Sequence, residues 1–298
     1  MNIINEIRDY FAALQPGYRR LNSTGEYAAY VIKDNRLYGV AVPYADSDMI
    51  SEKFSSCRMM SQEMFIEGNQ GTYLLLVCYE YRLRNEFATL CAQFTDPGES
   101  GCDRKKLISD PRAWWELWCE LLGNKISEKA PYAEIAEMLV LDYLYQKDKT
   151  IKWTAKESGS HDIESDTRSF EIKSTVSRYD AEITITGQHQ LYSERGLELY
   201  FLRMEKSNSG VSVDDVKEQL VAHGYDAGLL EDQLISAGFE MGSGARKLKY
   251  KVLEKRVYTV DDKFPKITND SFASGHIPDS IKRISYSIDL NGIDYKAW

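Results

Sequence analysis

Long apolar runs are missing from this sequence: no stretch approaches the roughly 18–20 residues that a membrane-spanning helix needs. The N-terminal segment, MNIINEIRDYFAAL, contains acidic residues and lacks the cationic, apolar and small-residue order of a secretory signal. We therefore expect a cytoplasmic protein that has no membrane partner.

Paired thiols are missing as well. The chain has five cysteines, an odd number, and no two of them form a CxxC pair. A disulfide framework or a zinc site needs paired, closely spaced thiols. We therefore expect reduced, structural cysteines at all five positions: Cys57, Cys78, Cys91, Cys102 and Cys119.

Positive charge is in deficit. The chain has 37 lysines and arginines against 46 aspartates and glutamates, which gives a net charge of −9. This balance argues against a protein coated in positive charge for binding nucleic acid. A nuclease is still compatible with it, because a metal site needs carboxylates and a basic groove can be local.

The length of 298 residues allows two or three packed units. We predict an N-terminal α+β domain over 1–125, a central domain over 126–209 and a C-terminal domain over 210–298. In the first, Tyr73–Tyr81 is rich in β-forming residues and predicts a strand. Helical spacing follows at Leu83–Phe94 and Pro111–Leu122, and we expect the tryptophans of the second helix to serve packing.

The central domain begins with a helix over Ala133–Tyr145 that is apolar on most sides, as expected for a helix pressed on a sheet. A helix followed by several strands predicts an α/β class, α+β overall, with a mixed β-sheet flanked by helices. The strand candidates are Ile151–Ala155, Ser160–Glu164, Ser169–Thr175, Glu182–Thr186 and Glu198–Met204.

The C-terminal domain has two predicted helices, Asp215–His223 and Ala227–Ala237, followed by a basic strand over Arg246–Val260. Two helices and a β-ribbon are typical of a winged helix, although this pattern has low specificity. The closing segment, 279–298, alternates enough to predict one more pair of strands.

The residues that carry chemistry lie in 160–174. This segment predicts two strands around a polar turn at Asp166-Thr167, with Ser165 facing Arg168 and Asp162 facing Glu171. Opposed residues of a hairpin have Cβ atoms about 4.5–5.5 Å apart, so the two carboxylates would repel unless a cation lay between them. Oxygen ligands of this kind suit Mg²⁺ or Mn²⁺.

Lys173 lies two residues beyond Glu171 and projects from the same face, whereas Phe170 and Ile172 point into apolar packing. A metal and an ammonium at one place are what phosphodiester hydrolysis needs. The alternative is an exposed Glu/Lys pair on a solvated strand, since E-x-K is common by chance.

The order of these residues resembles the PD-(D/E)XK nuclease superfamily: a helix acid, a strand Asp, a strand Glu-x-Lys, and then a further strand and Gln. More narrowly, it resembles a bacterial family of such proteins that is often found among restriction and phage-defence genes. The matching motifs are a Trp-rich helix at Ala113–Leu121, A-E-M-L-V-L at Ala136–Leu141, H-D at His161-Asp162, E-I-K-S-T at Glu171–Thr175, I-T-I-T-x-x-x-Q-L at Ile183–Leu191, F-P at Phe264-Pro265 and I-x-x-I-x-Y-x-I-D-L at Ile281–Leu290.

The resemblance implies a restriction-endonuclease-like core in which Asp162 and Glu171 bind Mg²⁺ or Mn²⁺ and Lys173 is the catalytic lysine. It makes Glu137 the helix acid and a further metal ligand. Glu134 lies one turn back on the same helix face and competes for that role.

Gln190 matches a polar position that orients the site in related nucleases, so we count it as a candidate catalytic residue; the alternative is a residue at a helix start or in a turn. The sequence departs from the family at Ala136, where a Gly is usual, and at His161, which replaces the Pro of the superfamily's name. Both His161 and His189 flank the motif, and we expect structural roles for them.

A row of lysines, Lys247, Lys249 and Lys251, is predicted on one face of the C-terminal strand and could follow a phosphate backbone. The alternative is a solvated sheet edge that lysines protect from pairing.

The function implied by the resemblance is a Mg²⁺- or Mn²⁺-dependent endodeoxyribonuclease in restriction or phage defence, with DNA and other defence subunits as partners. The alternative is an inactive nuclease-fold subunit that binds DNA or partner proteins. RNA as a substrate and the oligomeric state stay open at this point.

Overall fold

The computed structural model describes residues 2–46, 48–121, 130–154, 161–187 and 190–298. They form two compact units, Met1–Ser127 with Glu240–Gly244, and Glu128–Phe239 with Ala245–Trp298. Across the described ranges, no helix combines the length and apolar character needed to cross a bilayer.

The first unit is a six-stranded antiparallel sheet with helices packed on it, and its strand order is β1-β2-β3-β6-β5-β4. Its strands are β1 (Gly17–Arg20), β2 (Tyr30–Lys33), β3 (Tyr38–Pro43), β4 (Ser51–Phe54), β5 (Cys57–Ile66) and β6 (Asn69–Cys78). Its helices are α1 (Ile3–Ala13), α2 (Arg84–Thr95), α3 (Cys102–Ser109) and α4 (Pro111–Leu121).

The core of the first unit lies between one face of this sheet and the helices. Phe11 of α1 stacks against Phe87 of α2 and meets Tyr38 of β3 edge to face. Trp115 of α4 is buried in the same cluster, as the packing interpretation predicted. The predicted helices of this unit are confirmed; Leu122 lies outside the described residues.

The second unit contains a five-stranded mixed sheet of order β12-β11-β9-β8-β7, in which β9 and β11 are parallel, and a separate two-stranded sheet of β10 and β13. Its strands are β7 (Lys152–Trp153), β8 (Ile163–Glu164), β9 (Arg168–Thr175), β10 (Glu182–Ile185), β11 (Gly196–Val211), β12 (Tyr250–Thr259) and β13 (Tyr286–Asp289). Its helices are α5 (Pro131–Tyr145), α6 (Val213–Ala222), α7 (Ala227–Ser236) and α8 (Gly244–Lys247); Gly244, the first residue of α8, is assigned to the first unit.

Side chains alternate across the mixed sheet, so each face has its own core. Phe170 and Ile172 of β9 pack with α5, α6 and α7 on one face. Leu199 and Phe201 of β11 pack on the other face, together with β10, β13 and the segment around Phe264. The predicted mixed sheet flanked by helices is therefore confirmed.

Local sequence explains where these helices start and stop. Pro131 occupies the first turn of α5, where its missing N–H costs nothing. Ser212 and Asp215 form a reciprocal capping box at the start of α6, and Gly238 follows α7 with a positive φ of 92°.

The C-terminal segment differs from expectation in two places. Helix α8 replaces the beginning of the predicted strand Arg246–Val260, because the guanidinium of Arg246 is buried and holds this segment through Glu231 at 2.9 Å. The predicted closing strand pair is one strand, β13, whose partner is β10.

The predicted boundary near residue 209 falls inside β11, and β12 pairs with β11 in the main sheet instead of forming a separate ribbon. Residues 210–298 thus share a sheet and a core with the central segment. The three-domain division stays a prediction. Ala155 and Ser160, at the ends of two predicted strands, lie outside the described residues.

Candidate active site

The hairpin of β8 and β9 has the register that the sequence predicts. Ile163 pairs with Phe170 and Glu164 with Ser169, and the N–H of Ser165 donates to the carbonyl of Arg168 at 2.9 Å. The same register, continued by one residue, sets Asp162 opposite Glu171.

Asp162 lies one residue before β8 and is tied directly to β9. Its Oδ2 accepts a hydrogen bond from the N–H of Ile172 at 2.8 Å. This bond fixes the Asp162 carboxylate beside the strand that carries Glu171 and Lys173, so the structure brings these three residues together.

Glu171 is almost completely buried, since only 1% of its surface is exposed. The Nζ of Lys173 lies 2.9 Å from its Oε1 as an ion pair, at angles outside good hydrogen-bond geometry. Oε2 accepts no hydrogen bond from the part of the chain that the structure describes. Burial and the charge of Asp162 raise the pKa of Glu171 to about 8, against the opposing effect of Lys173.

The two glutamates of α5 are both buried. Glu137, 5% exposed, accepts a hydrogen bond from the indole Nε1 of Trp153 at 2.9 Å. Its negative charge also contributes to the raised pKa of Glu171. Glu134 lies on the same helix and is fully buried. Glu137 therefore acts electrostatically on the site, and its role as a metal ligand stays a prediction.

The polar residues near the motif have structural contacts. The side chain of Gln190 accepts from the N–H of Thr186 at 2.9 Å and closes the turn after β10, which matches its alternative interpretation. His161 is buried and lies 3.7 Å from Glu164, and burial lowers its pKa against the opposing effect of that glutamate. His189 lies outside the described residues.

The three candidate nucleic-acid-binding lysines do not share a strand. Lys247 ends α8, and Lys249 precedes β12 and pairs with Asp215 at 3.0 Å. Lys251 alone lies in β12, with an exposed side chain. The alternation K-L-K-Y-K predicted that the three lysines lie on one face of a strand. The structure differs because the buried Arg246 holds the start of this segment in a helical turn.

Two arginines that the sequence analysis missed lie on the face that carries Lys173. The parallel register pairs Lys173 with Phe201, and the guanidinium groups of Arg203 and Arg256 lie 6.0 and 5.6 Å from the Phe201 ring. Both arginines donate hydrogen bonds to the carboxylate of Glu254. Burial of Glu254 acts to raise the pKa of this carboxyl group, but the hydrogen bonds from the two arginines outweigh burial and lower the pKa. The local signal for each was alternation along its own strand, β11 for Arg203 and β12 for Arg256.

The donor set fits a hard divalent cation. Mg²⁺ is commonly held by one or two carboxylates and completes its shell with water or substrate oxygens. Asp162 and Glu171 supply two such groups, and the buried Oε2 of Glu171 is a polar atom that still needs a partner. Among the described residues, no three His, Cys, Asp or Glu side chains are already gathered as a ligand set.

A mixed sheet flanked by helices, with an aspartate facing a Glu-x-Lys strand, defines the PD-(D/E)XK class of fold. The family model described as "Putative PD-(D/E)XK family member, (DUF4420)" matches residues 13–291. The chain belongs to this family, and its membership suggests a nuclease-type function. Comparison with curated proteins and with solved structures gave no match.

Proposed function

We propose that this chain is a Mg²⁺- or Mn²⁺-dependent endodeoxyribonuclease whose active site is formed by Asp162, Glu171 and Lys173. The observation that carries the proposal is the burial of Glu171 beside the ammonium of Lys173 and opposite a second carboxylate. Burying an acid among other acids costs free energy, and a bound cation removes that cost.

Each residue has a role that follows from its position. A bound divalent cation would polarise the phosphate and lower the pKa of water. Asp162 and Glu171 would hold that cation, and Glu171 must give up its proton to do so. Lys173 places a positive charge next to the carboxylates, where it can orient water or stabilise the charge that develops on phosphate.

DNA as the substrate, and a role in restriction or phage defence with partner subunits, are supported by the family resemblance. Glu137 as a further ligand is supported by its burial and by its charge acting on Glu171. Gln190 as a positioning residue has weaker support, since its side chain closes a turn.

The test is a cleavage panel of duplex DNA, single-stranded DNA, modified DNA and RNA, with Mg²⁺ or Mn²⁺. We expect Lys173→Ala and Asp162→Asn to lose cleavage by about 100-fold or more, the scale of removing one charge-stabilising group. Matched controls are Lys206→Ala, on an exposed position of β11, and Asp166→Asn, in the turn of the same hairpin.

Melting curves with and without Mn²⁺ must accompany these assays, because lost cleavage alone does not separate chemistry from misfolding. Suppose the wild type cuts no substrate and Mn²⁺ leaves its melting temperature unchanged. A binding subunit that keeps the fold without the chemistry would then be the better assignment.

A further inference from the structure

The turn that follows β9 is held rigidly from its inner side. Arg203 is buried, and its Nη1 donates to the carbonyls of Ser177 and Asp180, each at 3.2 Å. The hydroxyl of Ser177 donates to the Asp180 carboxylate at 3.0 Å, and the N–H of Ser177 donates to Thr175 Oγ1 at 3.0 Å. A buried guanidinium thus fixes the backbone of the 176–180 turn.

The outer side of this turn presents an arginine and a tyrosine. Tyr179 is 79% exposed, and Arg178 is exposed beside it. Neither side chain has a hydrogen bond or ion pair within the described ranges. A rigid backbone that displays these two side chains has already lost the entropy that a flexible loop would lose on binding.

This position is close to the proposed chemistry. Tyr179 follows Lys173 by six residues, which span at most about 20 Å. Successive phosphates of one DNA strand are spaced by about 3.4 Å along the helix axis. The turn therefore lies within about six nucleotides of a phosphate bound at Lys173.

We propose that Arg178 and Tyr179 bind the DNA strand next to the cleaved phosphate, with Arg178 on a backbone phosphate and Tyr179 stacked on an unpaired base. Guanidinium groups suit phosphate, and exposed aromatic rings next to cations are the usual platform for unpaired bases. The proposal rests on the proposed nuclease function and deepens it, because it assigns substrates with a single-stranded stretch near the cut.

The test measures binding of a labelled DNA duplex with a short single-stranded gap to the full chain carrying Lys173→Ala, so that cleavage does not interfere. In the Lys173→Ala chain, the further change Arg178→Ala should reduce the magnitude of the slope of log binding constant against log salt concentration by about one, since one phosphate contact is lost. Tyr179→Ala should weaken binding roughly 5- to 100-fold, and Tyr179→Phe should retain it because the ring remains. Arg36→Ala, at an exposed arginine of the β2–β3 turn, is the matched control.

The outcomes separate the two proposals. If the wild type cleaves DNA but the Arg178 and Tyr179 variants bind gapped and intact duplex as the parent does, the turn is not a DNA contact and only this inference fails. If the wild type neither cleaves nor binds DNA, the nuclease assignment itself fails.

An independent feature lies in the first unit, where Cys57 of β5 is directly opposite Cys78 of β6. The neighbouring pair is hydrogen-bonded, since the N–H of Tyr79 donates to the carbonyl of Ser56 at 3.0 Å. Cys57 and Cys78 therefore form a non-hydrogen-bonded pair, in which Cα atoms lie about 4.5 Å apart. That separation falls within the range of disulfides.

The structure assigns Cys57 and Cys78 as a redox pair that a hydroperoxide converts to a disulfide. One thiolate attacks an oxygen of hydrogen peroxide and the O–O bond breaks, which gives a sulfenic acid and a hydroxide that takes a proton from solvent to become water. The second thiol attacks that sulfur, the S–O bond breaks, and a second water leaves with the thiol proton. Cys57 is partly exposed and gives the oxidant access. The interaction between the two thiols lowers the pKa of Cys78 and, together with burial, raises the pKa of Cys57.

The experiment treats the full chain with hydrogen peroxide, blocks the remaining thiols and maps peptides by mass spectrometry. We expect a Cys57–Cys78 linkage that dithiothreitol reverses and that Cys57→Ser abolishes. Cys102→Ser, at an exposed cysteine, should leave the linkage intact. Oxidation of Cys102 or Cys119 with Cys57 and Cys78 still free would overturn the assignment.

Discussion

Among single residues, Glu171 couples protonation to folding in the pH range between about 4.5 and 8. Its pKa is raised to about 8 in the folded chain, against an ordinary value of 4.5. Between these values the unfolded chain is ionised while the folded chain holds a proton. The stability of the metal-free protein should therefore fall as the pH rises from about 4.5 to about 8.

Replacing the titrating group tests this directly. Glu171→Gln should become progressively more stable than the wild type as the pH rises from 5 to 8, because the amide never ionises in its buried place. Each 1 kcal/mol of difference should shift the melting temperature by about 2–4 °C in a domain of this size. Thermal melts across the pH series check it, with Glu182→Gln, an exposed glutamate of β10, as the control. If the difference in melting temperature between the variant and the wild type did not change with pH, Glu171 would not be protonated in its buried place.

The helix acids allow a second comparison between single residues. Glu137→Gln removes one of the charges that raise the pKa of Glu171, so that pKa should fall and the Mn²⁺ dependence of cleavage should change. Glu134→Gln should have the smaller effect on both. Half-saturating Mn²⁺ concentrations for the two variants check the assignment, and a larger effect at Glu134 would give that residue the role.

Among the elements, the β8–β9 hairpin sets the register of the site through its turn. The Oγ of Ser165 accepts from the N–H of Arg168 at 3.1 Å, which closes the turn at Asp166 and Thr167. Asp, Ser and Thr favour such turns through side-chain hydrogen bonds. Local chemistry therefore decides which carboxylate faces Glu171.

Removing that hydroxyl should loosen the hairpin. Ser165→Ala is expected to destabilise the second unit by about 1 kcal/mol, the usual contribution of one such hydrogen bond. Thr167→Ala, at an exposed position of the same turn, should cost less. Denaturant unfolding of both variants checks the difference, and equal midpoints would show that the turn does not depend on Ser165.

The β8–β9 hairpin could be predicted because its two strands are close in sequence, whereas the strands that pair around it are distant in sequence and could not be predicted. Alternation and turn residues encode the pairing of 162–165 with 168–171, which are close in sequence. The parallel pairing of β9 with β11, and the pairing of β10 with β13 about 100 residues later, leave no local trace. Arg203 and Arg256 reach the sheet face of Lys173 only through the pairings of β9 with β11 and of β11 with β12, so the sequence could not assign them to the site.

The prediction of a strand at the start of the basic C-terminal segment was wrong for a different reason. K-L-K-Y-K alternates with the period of a strand, yet tertiary contacts of Arg246 with Glu231 and Asp214 fold its start into α8. Burying a charge with two partners outweighs the weak preference of an alternating pattern.

For the whole molecule, a bound cation should reverse the effect of pH on stability, since it requires the ionised form of Glu171. We expect Mn²⁺ to raise the melting temperature of the wild type, and more at pH 8 than at pH 6. Ligand at 100 times its Kd contributes about 2.7 kcal/mol by linkage.

Asp162→Asn should lose most of this Mn²⁺-dependent increase, because a neutral amide is a poorer ligand for a hard cation. Asp166→Asn should keep it. Scanning calorimetry with and without Mn²⁺ checks both, and an equal increase in the two variants would place the cation elsewhere.

The long-range pairing of β10 with β13 also has a consequence for synthesis of the chain. Ile288 and Leu290 pack on the sheet face that carries Leu199 and Phe201. On the neighbouring strand β9, Leu199 pairs with Glu171 and Phe201 pairs with Lys173. During translation Ile288 and Leu290 leave the ribosome well after Leu199 and Phe201, so the nascent chain carries an uncovered apolar face until they emerge. A chain interrupted before residue 286 would keep Asp162, Glu171 and Lys173 but lack the strand that covers their sheet. We expect such fragments to be recognised by chaperones and proteases and not to accumulate as partly active nucleases.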